Sequence, residues 1–299
     1  MDQMIYAYYA PLKKINATPV DKNDDYFDIL ILGASVLDPS PDWPYARPEP
    51  HIYQMLDGKT SRKIRVHNLA QTAMNSLDSR MKMEYLKQSG YDLVIFYDAI
   101  NDARANYAPD DIFRRDYSHY LWYEKVHAID RQRGIIKFTI VPYYLNMAWI
   151  KIKQRLKLKD YISEYWITSS RWDEYGNHIK TEQSYRDNLT AFLEEAKAKD
   201  IPVILPSFAY YDGRTVDEAG TVWGEKKDIF KAVDVHNNVI KELAETFPYD
   251  KIHYIDMNNL MTKDEIHFFD LCHFKEPGAE QFVSLLLPII LEIDKTQRP

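Results

Sequence analysis

The chain has 299 residues, 45% hydrophobic and 28% charged, as in an ordinary globular protein with length for one large domain or two small ones. Its formal net charge of −7 argues against a nucleic-acid partner, which selects a basic balance. It contains no uninterrupted apolar run of about 18 residues to span a bilayer, and the opening MDQMIYAYYAPLKK has neither the charged head nor the apolar core of a signal peptide.

Residues 1–26 are polar, with a charged cluster at Asp21 to Asp25, and read as a lead-in segment that packs on the domain. The first strand is predicted at 27–33, an apolar run ended by Gly33-Ala34-Ser35. Such a run reads as a strand buried on both faces, as in a parallel sheet. Gly33 is expected to supply a tight turn that exposes the Ser35 hydroxyl. Five prolines between 38 and 50 predict a loop without regular structure, placed to wall a pocket beside Ser35. A helix is predicted to begin at 51–56. A second strand at 63–69, a helix at about 75–89 stopped by Gly90, and a third strand at 91–97 follow. Strand, helix, strand with short links predicts right-handed βαβ units in a doubly wound sheet.

The stretch 103–133 is aromatic and charged and reads as helical and surface-facing, and 134–142 fits either a strand or a buried helix. Residues 148–165, AWIKIKQRLKLKDYISEY, form a basic amphipathic pattern. That pattern suits either a solvated helix face or peripheral contact with an anionic membrane. A loop at 166–180, a helix at 181–199, a strand at 201–206, a glycine-containing loop at 213–224 and a helix at 228–246 come next. A strand at 251–256, a loop at 264–275 and an apolar helix at 278–291 containing Pro288 close the chain. No repeat or flexible linker interrupts it. The expected organisation is the lead-in plus one domain over 27–299, with a helical and aromatic section inserted at about 103–180. The 23 tyrosines and 6 tryptophans, many between 97 and 185, suit either a binding surface or ordinary packing. The single cysteine, Cys272, permits no intramolecular disulfide and leaves the compartment open, as the sequence leaves the oligomeric state.

Polar residues cluster at the predicted strand ends, where open α/β sheets collect their chemistry. Ser35 follows the first strand, Asn68 to Ala73 the second, and Asn101 the third. Asp270 and His273 precede the last helix. A serine hydroxyl becomes a nucleophile when a base takes its proton, an imidazole titrates in the right range, and a carboxylate fixes the imidazole tautomer. Amide N–H groups meet the oxyanion that forms. Read singly, Ser35 also suits a helix cap, Asn101 a turn, His273 a packed loop histidine, Asp270 a helix N-cap and Asp102 a structural hydrogen-bonding partner. His267, Asp270 and His273 further spell H-x2-D-x2-H, a weak metal-like spacing.

Four blocks in order, GAS at 33–35, NLAQTA at 68–73, AIND at 99–102 and DLCH at 270–273, resemble the serine, glycine, Gly-x-Asn-Asp and Asp-x-x-His blocks of the SGNH (GDSL-type) hydrolase superfamily. The resemblance spans most of the chain. It implies a three-layer αβα fold with a flavodoxin-like parallel sheet. It also implies Ser35 as nucleophile, His273 as general base and later acid, and Asp270 as its orienting group. The oxyanion hole would come from the backbone N–H groups of Ser35 and Ala73 and the side chain of Asn101. No metal or organic cofactor is implied. The implied substrate is an acyl ester, a short acyl group on a carbohydrate given the aromatic richness, or a lipid ester given 148–165. Hydrolysis and acyl transfer both belong to the family. Ala34, Ala73 and Ala99 depart from its pattern, standing for aspartate, glycine and glycine. The three alanines also suit a rival reading, a binding protein that kept the fold and lost turnover.

Overall fold

The structure is a computed structural model. It describes residues 10–22, 24–42, 44–72, 74–87, 90–106, 180–213 and 226–297, and nine single positions between 113 and 156. Among the described residues the apolar runs become five strands: β1 (Tyr26–Gly33), β2 (Lys63–Asn68), β3 (Leu93–Tyr97), β4 (Val203–Pro206) and β5 (Ile252–Ile255). They form one parallel sheet in the order β2-β1-β3-β4-β5. This is the flavodoxin-like doubly wound order.

The helices are α1 (Ala10–Ala17), α2 (Pro48–Leu56), α3 (Ser76–Tyr85), α4 (Ile100–Asn106), α5 (Gln183–Ala198), α6 (Lys226–Thr246), α7 (Met257–Leu260) and α8 (Glu276–Thr296). Alternation along the central strands divides the core. Phe27, Ile29 and Ile31 of β1 with Leu93 and Ile95 of β3 pack against Ile52 and Leu56 of α2 and Phe282, Leu286 and Ile290 of α8. Leu30, Leu32, Val94 and Phe96 face the other way, onto Met83 of α3, Leu189, Phe192 and Leu193 of α5, and Val239 and Ile240 of α6. Burial on both faces is why these strands read as continuous apolar runs. The result is the expected three layers.

Four expectations are corrected. The proline loop is shorter than 38–50, because α2 starts at Pro48. Pro48 and Pro50 sit in its first turn, where a missing N–H costs no intrahelical bond. The last helix runs from 276 to 296 and continues through Pro288, carrying Ile290 and Ile293 into the core. Gly33 does not have a positive φ; among the described glycines Gly58 does. Gly33 is instead demanded by a close approach, since a Cβ there would lie 2.8 Å from the Tyr97 carbonyl oxygen on β3. The start of the stretch at 103–133 is not surface-facing, because Ala103 and Asn106 of α4 are buried. Within the lead-in segment, Asn16 on α1 donates to the Tyr85 carbonyl and accepts from the Lys87 N–H. Most of the expected insertion, including 134–140 and 166–179, and residues 214–225 lie outside the described residues. So does most of the basic stretch 148–165, of which positions 148, 149, 152 and 155 are helical. No helix among the described residues is long and apolar enough to cross a membrane.

Candidate active site

β1 ends against β3 in a register that pairs Gly33 with Tyr97. Two residues past Gly33 the chain turns into a short 3-10 helix, Ser35–Leu37, and four residues past Tyr97 it reaches Asn101 in the first turn of α4. Ser35 and Asn101 therefore leave neighbouring strands at the same sheet edge. Ser35 is the first residue of its turn, where a backbone N–H has no intrahelical acceptor. The N-cap of that turn is Ala34, so Ser35 does not take the cap position.

The third element is the loop that ends at α8. Phe268 and Phe274 form an antiparallel bridge, and the Phe269 N–H donates to the His273 carbonyl at 2.8 Å. Inside this narrow loop Asp270 accepts backbone N–H bonds from Cys272 at 3.0 Å and His273 at 2.9 Å through Oδ1. Asp270 is thus an Asx turn rather than a cap of α8, whose N-cap is Lys275. The loop is tied from outside by Tyr211 N–H to the Leu271 carbonyl at 2.8 Å and Lys275 N–H to the His267 carbonyl at 2.9 Å. Gly278 lets α8 seat against it, because a Cβ there would stand 2.1 Å from the His267 carbonyl oxygen.

These supports set one hydrogen-bonded line. Asp270 Oδ2 lies 2.7 Å from His273 Nδ1, and His273 Nε2 lies 2.9 Å from Ser35 Oγ. Burial alone would raise the Asp270 pKa, but the bonds from His273 and from the Cys272 and His273 backbone hold it below the usual carboxylate range. An ionised Asp270 makes Nδ1 the proton-bearing nitrogen, which leaves Nε2 to accept from the serine hydroxyl. The structure brings the three sequence-predicted residues Ser35, Asp270 and His273 together.

Asn101 is buried and donates through Nδ2 to the Met74 carbonyl at 2.7 Å, which anchors its amide to the loop after β2. An amide nitrogen carries two hydrogens, so one remains for an oxyanion. Ala73, the remaining predicted donor, lies outside the described residues, although both its neighbours are held. Thr72 gives its N–H and its hydroxyl to Asp38 Oδ2, each at 2.8 Å. Asp38 Oδ1 accepts the Ser40 N–H at 2.8 Å. Burial works against the Asp38 charge, yet these bonds keep its pKa below the ordinary value. Nearby, Lys82 is fully buried and donates to the Leu69 carbonyl at 2.7 Å. Asp102 takes the structural role expected of it, accepting the Ser76 N–H and hydroxyl.

Two residues beside the line carried no individual signal in the sequence. Asp38 is a strand-end acid whose partner is 34 residues away. Tyr45 sits in the proline loop, which was expected to wall the site, and its ring stacks on His273 at a centroid distance of 4.0 Å. Phe269, well exposed, meets the Tyr45 ring edge-on at 5.0 Å. His267 turns away from the metal-like spacing and pairs with Asp264 at 2.7 Å. Asp270, Cys272 and His273 do bring donor atoms close enough for a cation. Two of those donors belong to the serine line, and burial holds the Cys272 thiol well above its ordinary pKa, so thiolate ligation is opposed.

No family model matches the chain, and no curated protein matches it by sequence. Its fold does match solved structures. A GDSL-like lipase from Bacteroides thetaiotaomicron aligns at a TM-score of 0.54 and 12% identity, over 96% of this chain and 98% of that one. A putative acylhydrolase from Bacteroides fragilis aligns at 0.53 and 13%, over 97% and 96%. An acetyl xylan esterase from Geobacillus stearothermophilus aligns at 0.51 and 14%, over 91% and 96%. The fold is that of the SGNH (GDSL-type) hydrolases.

Proposed function

We propose that the protein is a serine esterase that cleaves an acyl ester through an acyl-Ser35 intermediate. The observation that carries this reading is the unbroken line Ser35 Oγ, His273 Nε2 and Nδ1, Asp270 Oδ2, with steps of 2.9 and 2.7 Å. In the first step His273 Nε2 takes the Ser35 proton as Oγ attacks the ester carbonyl, and the electron pair moves onto the carbonyl oxygen. The free amide hydrogen of Asn101 and the backbone N–H groups of Ser35 and Ala73 would meet that oxyanion. The imidazolium, its Nδ1–H held by Asp270, then returns the proton to the leaving alkoxide. Water, or an acceptor hydroxyl in a transferase, repeats the steps in reverse order on the acyl-enzyme.

The substrate we favour is an acetyl or other short acyl ester of a carbohydrate. Tyr45 and Phe269 support it, because sugar rings stack on aromatic faces and these two lie beside the reacting line. The acetyl xylan esterase among the fold neighbours points the same way, and the GDSL-like lipase keeps a longer acyl chain in the comparison.

The test is hydrolysis of p-nitrophenyl acetate, butyrate and octanoate by the wild type and Ser35→Ala. Ser35→Ala is expected to lose about 10³-fold or more in kcat/KM with the fold intact. The acetate-to-octanoate ratio then separates the carbohydrate ester from the lipid ester. If neither protein turns over substrate and a fluorophosphonate leaves Ser35 unlabelled, the chain is a binding protein on this fold and the proposal fails.

A further inference from the structure

Tyr45 is stacked on the imidazole of His273 at an interplanar angle of 9°. Its partners explain why it stays there. Asp38 grips the start of the proline loop through the Ser40 N–H, Arg47 donates back to the Pro39 carbonyl at 3.1 Å, and the Ala46 N–H donates to the Phe274 carbonyl at 3.1 Å. The last bond ties the residue after Tyr45 to the residue after His273, so the two rings are held by one crosslink between their loops. Phe269 closes on the Tyr45 ring from the side. The phenol hydroxyl reaches Asp270, and burial together with that carboxylate raises the phenol pKa, which keeps it a neutral donor.

From this arrangement we propose that Tyr45 is a positioning residue for the proton transfer at His273. Its ring clamps the imidazole in the plane that joins Ser35 to Asp270 and stabilises the imidazolium formed when Ser35 gives up its proton. The inference rests on the esterase reading and deepens it. Two physical effects are involved. A flat ring 4.0 Å away blocks rotation of the imidazole out of its line. An aromatic face attracts a cation, by an amount that converts to about 3- to 30-fold in rate. Because the cation exists only once the proton has moved, the effect belongs to kcat rather than to substrate binding.

The experiment compares wild type, Tyr45→Phe and Tyr45→Leu. Tyr45→Phe keeps the stacked ring and loses the hydroxyl; Tyr45→Leu loses both. Tyr45→Phe is expected to stay within about 3-fold of wild type in kcat on p-nitrophenyl acetate. Tyr45→Leu is expected to lose about 10-fold in kcat with KM nearly unchanged, and to slow fluorophosphonate labelling of Ser35 by a similar factor. Nuclear magnetic resonance gives a readout independent of turnover. The carbon-bound ring protons of His273 should lie upfield in wild type and Tyr45→Phe, under the ring current of the stacked neighbour, and move downfield in Tyr45→Leu. Equal rates in wild type and Tyr45→Leu overturn the proposal, as does an equal loss in Tyr45→Phe and Tyr45→Leu. A wild-type His273 resonance at the position of an unstacked imidazole overturns it without any variant. If wild-type Ser35 is unlabelled, the esterase reading falls and takes this inference with it; a labelled wild type with an unaffected Tyr45→Leu sinks this inference alone.

Discussion

Replacing Asp38 tests whether the loop after β2 is held for catalysis or only for stability. The Asp38 carboxylate receives three hydrogen bonds, all at 2.8 Å, two from Thr72 and one from Ser40. Asp38→Ala removes the acceptor for all three donors at once. Bonds to a charged group contribute about 1.5–3 kcal/mol each when fully buried. Thr72 is half-buried and Ser40 exposed, so water recovers much of this, and the total comes to about 3 kcal/mol. For a chain of this size that corresponds to a drop in Tm of about 6 °C. The activity effect should be larger than the stability effect suggests. Thr72 precedes Ala73, the proposed oxyanion donor, and a displacement of about 1 Å there costs on the order of 100-fold in rate. Asp38→Asn keeps an oxygen for Thr72 but turns an amide N–H₂ towards the Ser40 N–H, so it should fall between the two. The assay is kcat/KM on p-nitrophenyl acetate, well below each variant's Tm, beside a thermal melt. A melt lowered by several degrees with kcat/KM within about 3-fold of wild type would refute the reasoning, because the loop would then tolerate the loss of its clamp.

Two further outcomes follow from buried contacts. Gly33→Ala forces a Cβ to within 2.8 Å of the Tyr97 carbonyl oxygen, between β1 and β3. It should destabilise the fold by about 2 kcal/mol, read as a lower urea midpoint; an unchanged midpoint would mean the strands part freely at the site. His236 is buried against Tyr185 and beside the Ala99 carbonyl, and burial lowers its pKa to about 3. The native state thus stays neutral while the unfolded chain protonates below about pH 6.5, so this stability is complete above that pH and is lost as pH falls towards 3. The slope approaches about 1.4 kcal/mol per pH unit between pH 6 and 4. His236→Gln should remove about 2 kcal/mol of that loss, measured as the difference in urea unfolding between the two pH values; identical pH dependence in both proteins would count against it.

The strands were legible because burial on both sheet faces leaves little room for polar residues, as in Ile29 to Leu32 and Leu93 to Tyr97. Helix ends were less so. Pro48 and Pro50 read as loop residues, yet the first turn of α2 accepts them. Ser35, Asp270 and His273 were recognisable because their residue types suit one another chemically and the blocks that carry them stand in the order of the family the chain resembles. Asp38 and Tyr45 were not, because nothing local marks them. Asp38 matters through Thr72, and Tyr45 through His273, 228 residues further on. Such partners are set by how loops from different strand ends meet, and one sequence carries no direct trace of that. The Gly33 expectation had the residue right and the reason wrong: its small size serves a neighbouring strand, not its own backbone angle.

The strand order explains why the site forms where it does. In the order β2-β1-β3-β4-β5, the chain leaves β1 for β2 on one side and then crosses back to β3 on the other. The connections from β1 and β3 therefore depart in opposite directions and leave a crevice between them at the carboxyl edge. Ser35 lines that crevice from β1 and Asn101 from β3, with Met74, after β2, bonded to Asn101. The remaining element of the proposed mechanism is a base, and neither the β1 nor the β3 end supplies one among the described residues. The loop before α8 does so, because α8 packs along α2 on the face that carries Phe27, Ile29 and Ile31 and so returns to the β1 side of the sheet. A histidine placed just before that helix is delivered to Ser35 by the same packing that buries Phe282 and Leu286. Core and site are therefore coupled. A substitution that lets α8 slide on the sheet should disturb the 2.9 Å contact between His273 and Ser35, since the His273 loop is seated on α8 at Gly278.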